Sequence, residues 1–146
     1  MSAEPIDVLM VEDDPGDIEL VRLASREAAV GFRFEIVRDG REAMHYLQGG
    51  GPYQTPNDPD LILLNLNLPG KSGPEILAEI RSDERLKSIP LVIWSSSLIQ
   101  HDLLLRHGLN ERCFFTKPIR FSEIAQSLRR MESWFRANGS HHEYRK

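Results

Sequence analysis

The chain has 146 residues, of which 40% are apolar and 27% charged, and a formal net charge of −4. This length and composition predict one globular domain and exclude a disordered chain. The acidic balance argues against a nucleic-acid-binding surface, which needs a basic stripe. The single cysteine, Cys113, excludes an internal disulfide, and no segment has the length and apolarity to cross a membrane, so we expect a cytoplasmic protein.

Hydrophobic periodicity predicts strands that alternate with helices along the chain. The strand candidates are short runs of apolar, β-forming residues, and the helix candidates carry apolar residues near helical spacing, including Leu20 and Phe121. In order, the predicted elements are a strand over 6–11, a helix over 17–29, a strand over 32–36, a helix over 41–48, a strand over 61–66, a helix from Pro74, a strand over 90–94, a helix over 99–107, a strand over 113–116 and a helix over about 121–137. Residues 49–60 are predicted to form a surface loop, and residues 138–146 a disordered tail.

This order predicts a single α/β domain over residues 1–137, with a doubly wound, five-stranded parallel sheet and right-handed crossovers. In such a sheet the functional crevice lies beyond the carboxyl ends of the strands. We expect polar strand-end residues to converge there, namely Glu12, Asp13 and Asp14 after the first strand, Asn65 and Asn67 at the third, Ser95 at the fourth and Lys117 after the fifth.

The acidic residues and Lys117 in this set share one chemical interpretation. Oxygen ligands with little else suit a hard cation such as Mg²⁺, and a lone lysine opposite them suits a phosphoryl oxygen. Acidic residues at the start of a helix can instead simply complement its dipole. Adjacent carboxylates repel each other, so their expected convergence with Lys117 favours the cation site.

Four motifs together resemble the receiver domain of two-component response regulators. They are VEDD at 11–14, LILLNLNLPGKSG at 61–73, a hydroxyl residue ending the fourth strand, and TKP at 116–118. The resemblance covers roughly residues 5–137 and implies a flavodoxin-like (βα)5 fold and a non-enzymatic role in a phosphorelay. The long loop before the third strand and the extended last helix most resemble single-domain regulators that partner phytochrome-type sensor histidine kinases.

The resemblance also implies a Mg²⁺ site. Glu12 and Asp13 match the acidic pair that holds the ion, while Asp14 lies outside that pair. Position 65 and the main-chain carbonyl of Asn67 would be the further ligands.

The remaining positions imply a phosphoryl-binding switch. Ser95 matches the hydroxyl residue that bonds the phosphoryl group and shifts on activation, and Phe114 matches the rotamer-switching aromatic. Lys117 matches the lysine that contacts the phosphoryl group, with a cis peptide expected at Pro118.

The chain departs from the family at the phosphoacceptor position, which is Asn65 where the pattern requires aspartate. A carboxylate oxygen must attack phosphohistidine to form an acyl phosphate, and a neutral amide oxygen is a poor nucleophile. We therefore predict a folded receiver that accepts no phosphoryl group and binds Mg²⁺ weakly.

Three alternatives stay open for Asn65. It is either native, in a pseudo-receiver that works as a phosphorylation-independent binding module, or an engineered Asp-to-Asn change that keeps a normal receiver off. The third alternative is displaced phosphorylation at Asp13 or Ser95. Because every other pocket position keeps the family's pattern, the engineered change is favoured.

Apolar residues on two helices predict a homodimer, as in many receivers, because apolar surface patches mark interfaces. The expected dimer face consists of Leu103, Leu104, Met131, Trp134 and Phe135. These residues could instead pack in the core or lie scattered on the surface.

A sensor kinase is expected to dock near the crevice, around Arg22, Arg26 and Ile119, although the two arginines could simply form a solvated face. The rival function is that of a flavin- or nucleotide-binding enzyme on the same fold. It is disfavoured because no Gly-rich phosphate loop follows the first strand.

Overall fold

One parallel sheet organises the protein. The computed structural model describes residues 4–66, 68, 70–95, 114–116 and 120–137. The strands in these residues are β1 (Ile6–Val11), β2 (Phe32–Val37), β3 (Leu61–Leu64), β4 (Leu91–Ser95) and β5 (Phe114–Thr116). They pair in the order β2-β1-β3-β4-β5, and all pairs are parallel. The predicted doubly wound, flavodoxin-like α/β fold is confirmed.

The first three connections between strands contain helices, as the alternating pattern predicts, and a further helix follows β5. The described helices are α1 (Pro15–Ala28), α2 (Gly40–Gln48), α3 (Gly73–Ser82) and α4 (Phe121–Ala137). A short 3₁₀ helix at Leu86–Ser88 was not predicted. The predicted helix over 99–107 and the predicted tail over 138–146 lie outside the described residues.

Element ends follow from local chemistry. Helix α1 begins two residues before the predicted start because the Asp14 side chain accepts a hydrogen bond from the Asp17 amide and Pro15 fits the first turn. Strand β3 ends at Leu64, two residues before the predicted end.

The core has two parts, one on each face of the sheet. Alternate side chains of a strand point to opposite faces, so Leu9 and Val11 pack under α2 and α3, whereas Val8 and Met10 pack under α1 and α4. This arrangement explains why the central strand β3 is wholly apolar, since both of its faces are covered.

Three apolar residues lie where the sequence did not place them. Met131, which we assigned to a dimer face, is fully buried against the sheet, so that assignment is wrong. Leu20 and Phe121 are 40% and 38% exposed. The buried side of α1 is formed by Ile18, Val21, Ala24 and Ser25, and at 3.6 residues per turn position 20 falls beside that stripe.

Candidate functional site

The buried carboxylate of Glu12 is the centre of the candidate site. Glu12 directly follows β1, and its amide donates to the carbonyl of Val37 at 3.0 Å, which extends the pairing with β2. The residue is only 1% exposed. A buried carboxylate needs hydrogen-bond donors to replace water.

Two of these donors reach the same carboxylate oxygen. Glu12 Oε2 accepts hydrogen bonds from the Asn65 side-chain Nδ2 at 2.9 Å and from the Asp14 amide at 3.2 Å. Bonds of this kind to an ionised acceptor are stronger than those between neutral groups. The two donors therefore satisfy the buried carboxylate of Glu12 without water.

Asn65 reaches Glu12 because of the strand register. Val11 of β1 lies opposite Leu64 of β3, and the Asn65 amide donates to the Val11 carbonyl at 3.1 Å. The residues that follow these two strand ends are thus neighbours, and Asn65 is only 6% exposed. An ionised aspartate at position 65 would place a second carboxylate against Glu12, whereas the amide supplies a donor.

The acidic residues after Glu12 have different surroundings. Asp14 is exposed and caps α1, because its Oδ2 accepts from the Asp17 amide at 3.2 Å. Asp13 is half-buried between them in the chain. The helix-terminus interpretation thus describes Asp14 and does not describe the buried Glu12.

The described residues fit a divalent cation only in part. Glu12 and Asp13 offer two carboxylates, but Glu12 Oε2 already accepts two hydrogen bonds, and one comes from an N–H group at position 65. Mg²⁺ prefers six oxygen ligands. Within the described ranges, no three His, Cys, Asp or Glu side chains form a group that could hold a metal ion.

The segment from Asn65 to α3 is tightly folded. The Gly73 amide donates to the Leu66 carbonyl at 3.2 Å, and a Cβ at position 73 would lie 2.3 Å from Leu66 Cα, so glycine is required there. Ser72 and Glu75 form a capping box, in which hydrogen bonds from Ser72 lower the pKa of Glu75. The start of α3 is therefore held against Leu66, the residue that follows Asn65.

The other predicted site positions divide into two groups. Ser95 ends β4 in register with Thr116, and Phe114 of β5 is in register with Ile93. The remaining predicted positions, at Asn67, Leu103, Leu104, Lys117, Pro118 and Ile119, lie outside the described residues.

Sequence reasoning missed one exposed apolar side chain on α1, the helix that follows Glu12. Leu23 of α1 is 41% exposed, beside Leu20 at 40% and the exposed Arg22 and Arg26. At 3.6 residues per turn, Leu23 lies on the side of α1 opposite the buried Ile18, Val21, Ala24 and Ser25. This spacing could have indicated that Leu23 is exposed.

Comparison with known proteins agrees with this architecture. Residues 8–129 match the response regulator receiver domain model, and the chain belongs to that family. It is 36% identical to the response regulator Rcp1 of Synechocystis sp. over 134 residues, which is 92% of this chain and 91% of Rcp1.

Solved structures of two such regulators are also similar. The phosphorylated cyanobacterial phytochrome response regulator RcpA is 39% identical, with a TM-score of 0.80 over 93% of this chain and 97% of RcpA. The Mn²⁺-bound form of Rcp1 is 36% identical, with a TM-score of 0.77 over 90% of this chain and 94% of Rcp1. Separately, none of the helices in the described part of the chain is long and apolar enough to span a membrane.

Replacing Asn65 by Asp is expected to lower the free energy of unfolding by about 1–3 kcal/mol without divalent cations, because a donor to Glu12 is lost and a charge is added. Millimolar Mg²⁺ should recover much of this loss in the variant and shift the Tm of the unchanged chain by less than about 1 °C. Thermal unfolding with and without MgCl₂ measures both effects.

The matched control is Asn57→Asp, the same substitution at a loop residue whose Nδ2 donates to the Tyr46 carbonyl at 3.2 Å. This variant should show no Mg²⁺ response. If Mg²⁺ raised the Tm of the unchanged chain as much as that of Asn65→Asp, Asn65 would not be the donor that replaces a cation beside Glu12.

Proposed function

We propose that this chain is a single-domain response regulator for a phytochrome-type sensor histidine kinase, in which Asn65 occupies the phosphoacceptor position and blocks phosphotransfer. The observation that carries the proposal is the 2.9 Å hydrogen bond from Asn65 Nδ2 to the buried Glu12 carboxylate. The similarity to Rcp1 and RcpA supports the kinase class.

The blocked chemistry follows from the amide group. Transfer from phosphohistidine needs an oxygen nucleophile that carries negative charge, and the amide oxygen of Asn65 is neutral. Its nitrogen is directed at Glu12, so the residue that would be the nucleophile instead acts as a hydrogen-bond donor.

The proposal assigns roles to the rest of the pocket. Glu12 and Asp13 retain weak Mg²⁺ binding, with the Asn67 carbonyl as a further ligand, and Mg²⁺ when bound would screen phosphoryl charge. The Mn²⁺-bound form of Rcp1 supports a divalent cation in this class of pocket. Ser95 would bond a phosphoryl group there.

Three further positions complete the assignment. Phe114 would be the switch aromatic, and Lys117 would contact the phosphoryl oxygens. Pro118 would follow a cis peptide bond.

The second candidate function is a binding module that needs no phosphorylation. The hydrogen bond between Asn65 and Glu12 favours it, because it stabilises the pocket without a phosphoryl group. A native and an engineered Asn65 lead to the same chemistry, so both origins are compatible with either function.

The phosphoacceptor assignment is tested by intact mass after incubation with a small phosphodonor and Mg²⁺. We expect no added phosphoryl group on the unchanged chain and one on Asn65→Asp, since only the variant has a carboxylate nucleophile. A phosphoryl group on the unchanged chain, at Asp13 or Ser95, would overturn the proposal. If neither protein reacts, the pocket lacks more than its nucleophile and the binding function stands instead.

The kinase surface is proposed on α1, with Ile119 as a further contact. Arg22, Arg26, Leu20 and Leu23 are exposed there, and two leucines at about 40% exposure beside cations suit a partner helix. The membership of the chain in the receiver-domain family supports a sensor histidine kinase as the partner of this surface.

Leu23→Glu is therefore expected to weaken binding to a phytochrome-type sensor kinase by about tenfold or more, measured by calorimetry. Arg129→Glu, at an exposed position on α4, is the control and should bind normally. If the unchanged chain, Leu23→Glu and Arg129→Glu bound the kinase with equal affinity, α1 would not be the kinase-binding surface.

A homodimer is proposed through Leu103, Leu104, Trp134 and Phe135, with Met131 excluded because it is buried. Trp134 and Phe135 are half-buried against the core and leave part of their surface exposed. Light scattering at tens of micromolar should give a dimer mass for the unchanged chain and a lower mass for Phe135→Ala. A monomer mass for the unchanged chain would contradict the dimer.

A further inference from the structure

A groove of about 630 Å³ lies between α2 and α3, and neither Glu12 nor Asn65 lines it. It is open to solvent and is not an enclosed cavity. Four α2 residues, Arg41, Met44, His45 and Gln48, contribute one wall. Their spacing is i, i+3, i+4 and i+7, so they share one face of the helix.

The opposite wall comes from the segment before α3 and from α3 itself, through Gly70, Lys71 and Glu79. The two walls meet where α2 begins. A Cβ on Gly40 would lie 2.7 Å from the Lys71 carbonyl oxygen and 2.7 Å from Ile76 Cδ1. This close contact holds the start of α2 against the opposite wall of the groove.

The charges around the groove are not all compensated. Asp39 Oδ1 accepts from the Glu42 amide at 2.8 Å and caps α2, and Lys71 pairs with Glu79. Arg41 is exposed and forms no ion pair with any residue that the structure describes. Among the described residues that line the groove, Arg41 is thus a cation that an acidic group could reach.

The remaining lining residues are Met44, His45, Gln48 and Gly70. Met44 is 5% exposed and forms the apolar floor, and a methionine side chain adapts to ligands of different shapes. His45 and Gln48 offer hydrogen-bonding groups further along α2. An open groove beside a helix favours an extended or helical protein segment over a small molecule, which binds in more enclosed pockets.

We propose that this groove docks a segment of a partner protein that carries an acidic side chain and, three positions later, an apolar one. The acidic side chain pairs with Arg41, and the apolar side chain packs on Met44. This surface is separate from the α1 surface proposed for the kinase, so one chain can hold a kinase and an output partner at once.

The test uses two capped tetrapeptides, acetyl-Glu-Ala-Ala-Leu-amide and acetyl-Lys-Ala-Ala-Leu-amide, titrated into ¹⁵N-labelled protein while backbone amide shifts are recorded. We expect saturable shifts in α2 and at the start of α3 with the Glu peptide only. Arg41→Glu should weaken this binding about tenfold or more, because attraction becomes repulsion.

Arg38→Glu is the matched control, since Arg38 is an exposed cation near the groove that does not line it. It should leave the affinity unchanged, and the spectra of both variants report whether they fold. Four results would overturn the proposal: no saturable shifts, shifts centred outside the groove, equal binding of the Lys peptide, or equal losses in Arg41→Glu and Arg38→Glu.

Discussion

The buried carboxylate of Glu12 is the constraint around which the candidate site is arranged. A carboxylate that is 1% exposed must be compensated, and here a side-chain amide and a main-chain amide donate to the same oxygen. In a pocket with aspartate at position 65, a cation or a proton would have to relieve the repulsion between the two carboxylates. Asn65 provides that relief within the protein.

Under the proposed function, Asn65 would separate two properties of a receiver, the shape of its pocket and the nucleophile that the pocket holds. The pairing of Val11 with Leu64 sets the neighbouring strand ends through main-chain register, so the side chain at position 65 does not determine it. The proposal removes only the nucleophile, because the amide oxygen of Asn65 carries no negative charge. If the proposal holds, this chain would offer the binding surfaces of a receiver without phosphoryl transfer.

Much of the fold could be predicted from the sequence because its patterns are local. The apolar runs of β1 and β3 and the polar residues that follow them indicate a buried parallel sheet with a site at one edge. The exposed sides of helices were harder to predict. Met131 belongs to the apolar stripe of α4 and is buried, whereas Leu20 lies beside the stripe of α1 and is exposed.

Features that depend on tertiary contacts could not be predicted. The direction of the Asn65 amide follows from the burial of Glu12, which is 53 residues away in sequence. The groove beside α2 depends on the close approach of Gly40 to the Lys71 carbonyl, and no local pattern indicates that contact.

Transfer from an autophosphorylated phytochrome-type sensor kinase, labelled on its histidine, tests the central claim most directly. We expect the kinase to keep its labelled phosphoryl group when it is mixed with this chain and Mg²⁺. With Asn65→Asp, we expect the phosphoryl group to move to the variant. Rapid loss of the kinase label to the unchanged chain would contradict the claim that Asn65 blocks phosphotransfer.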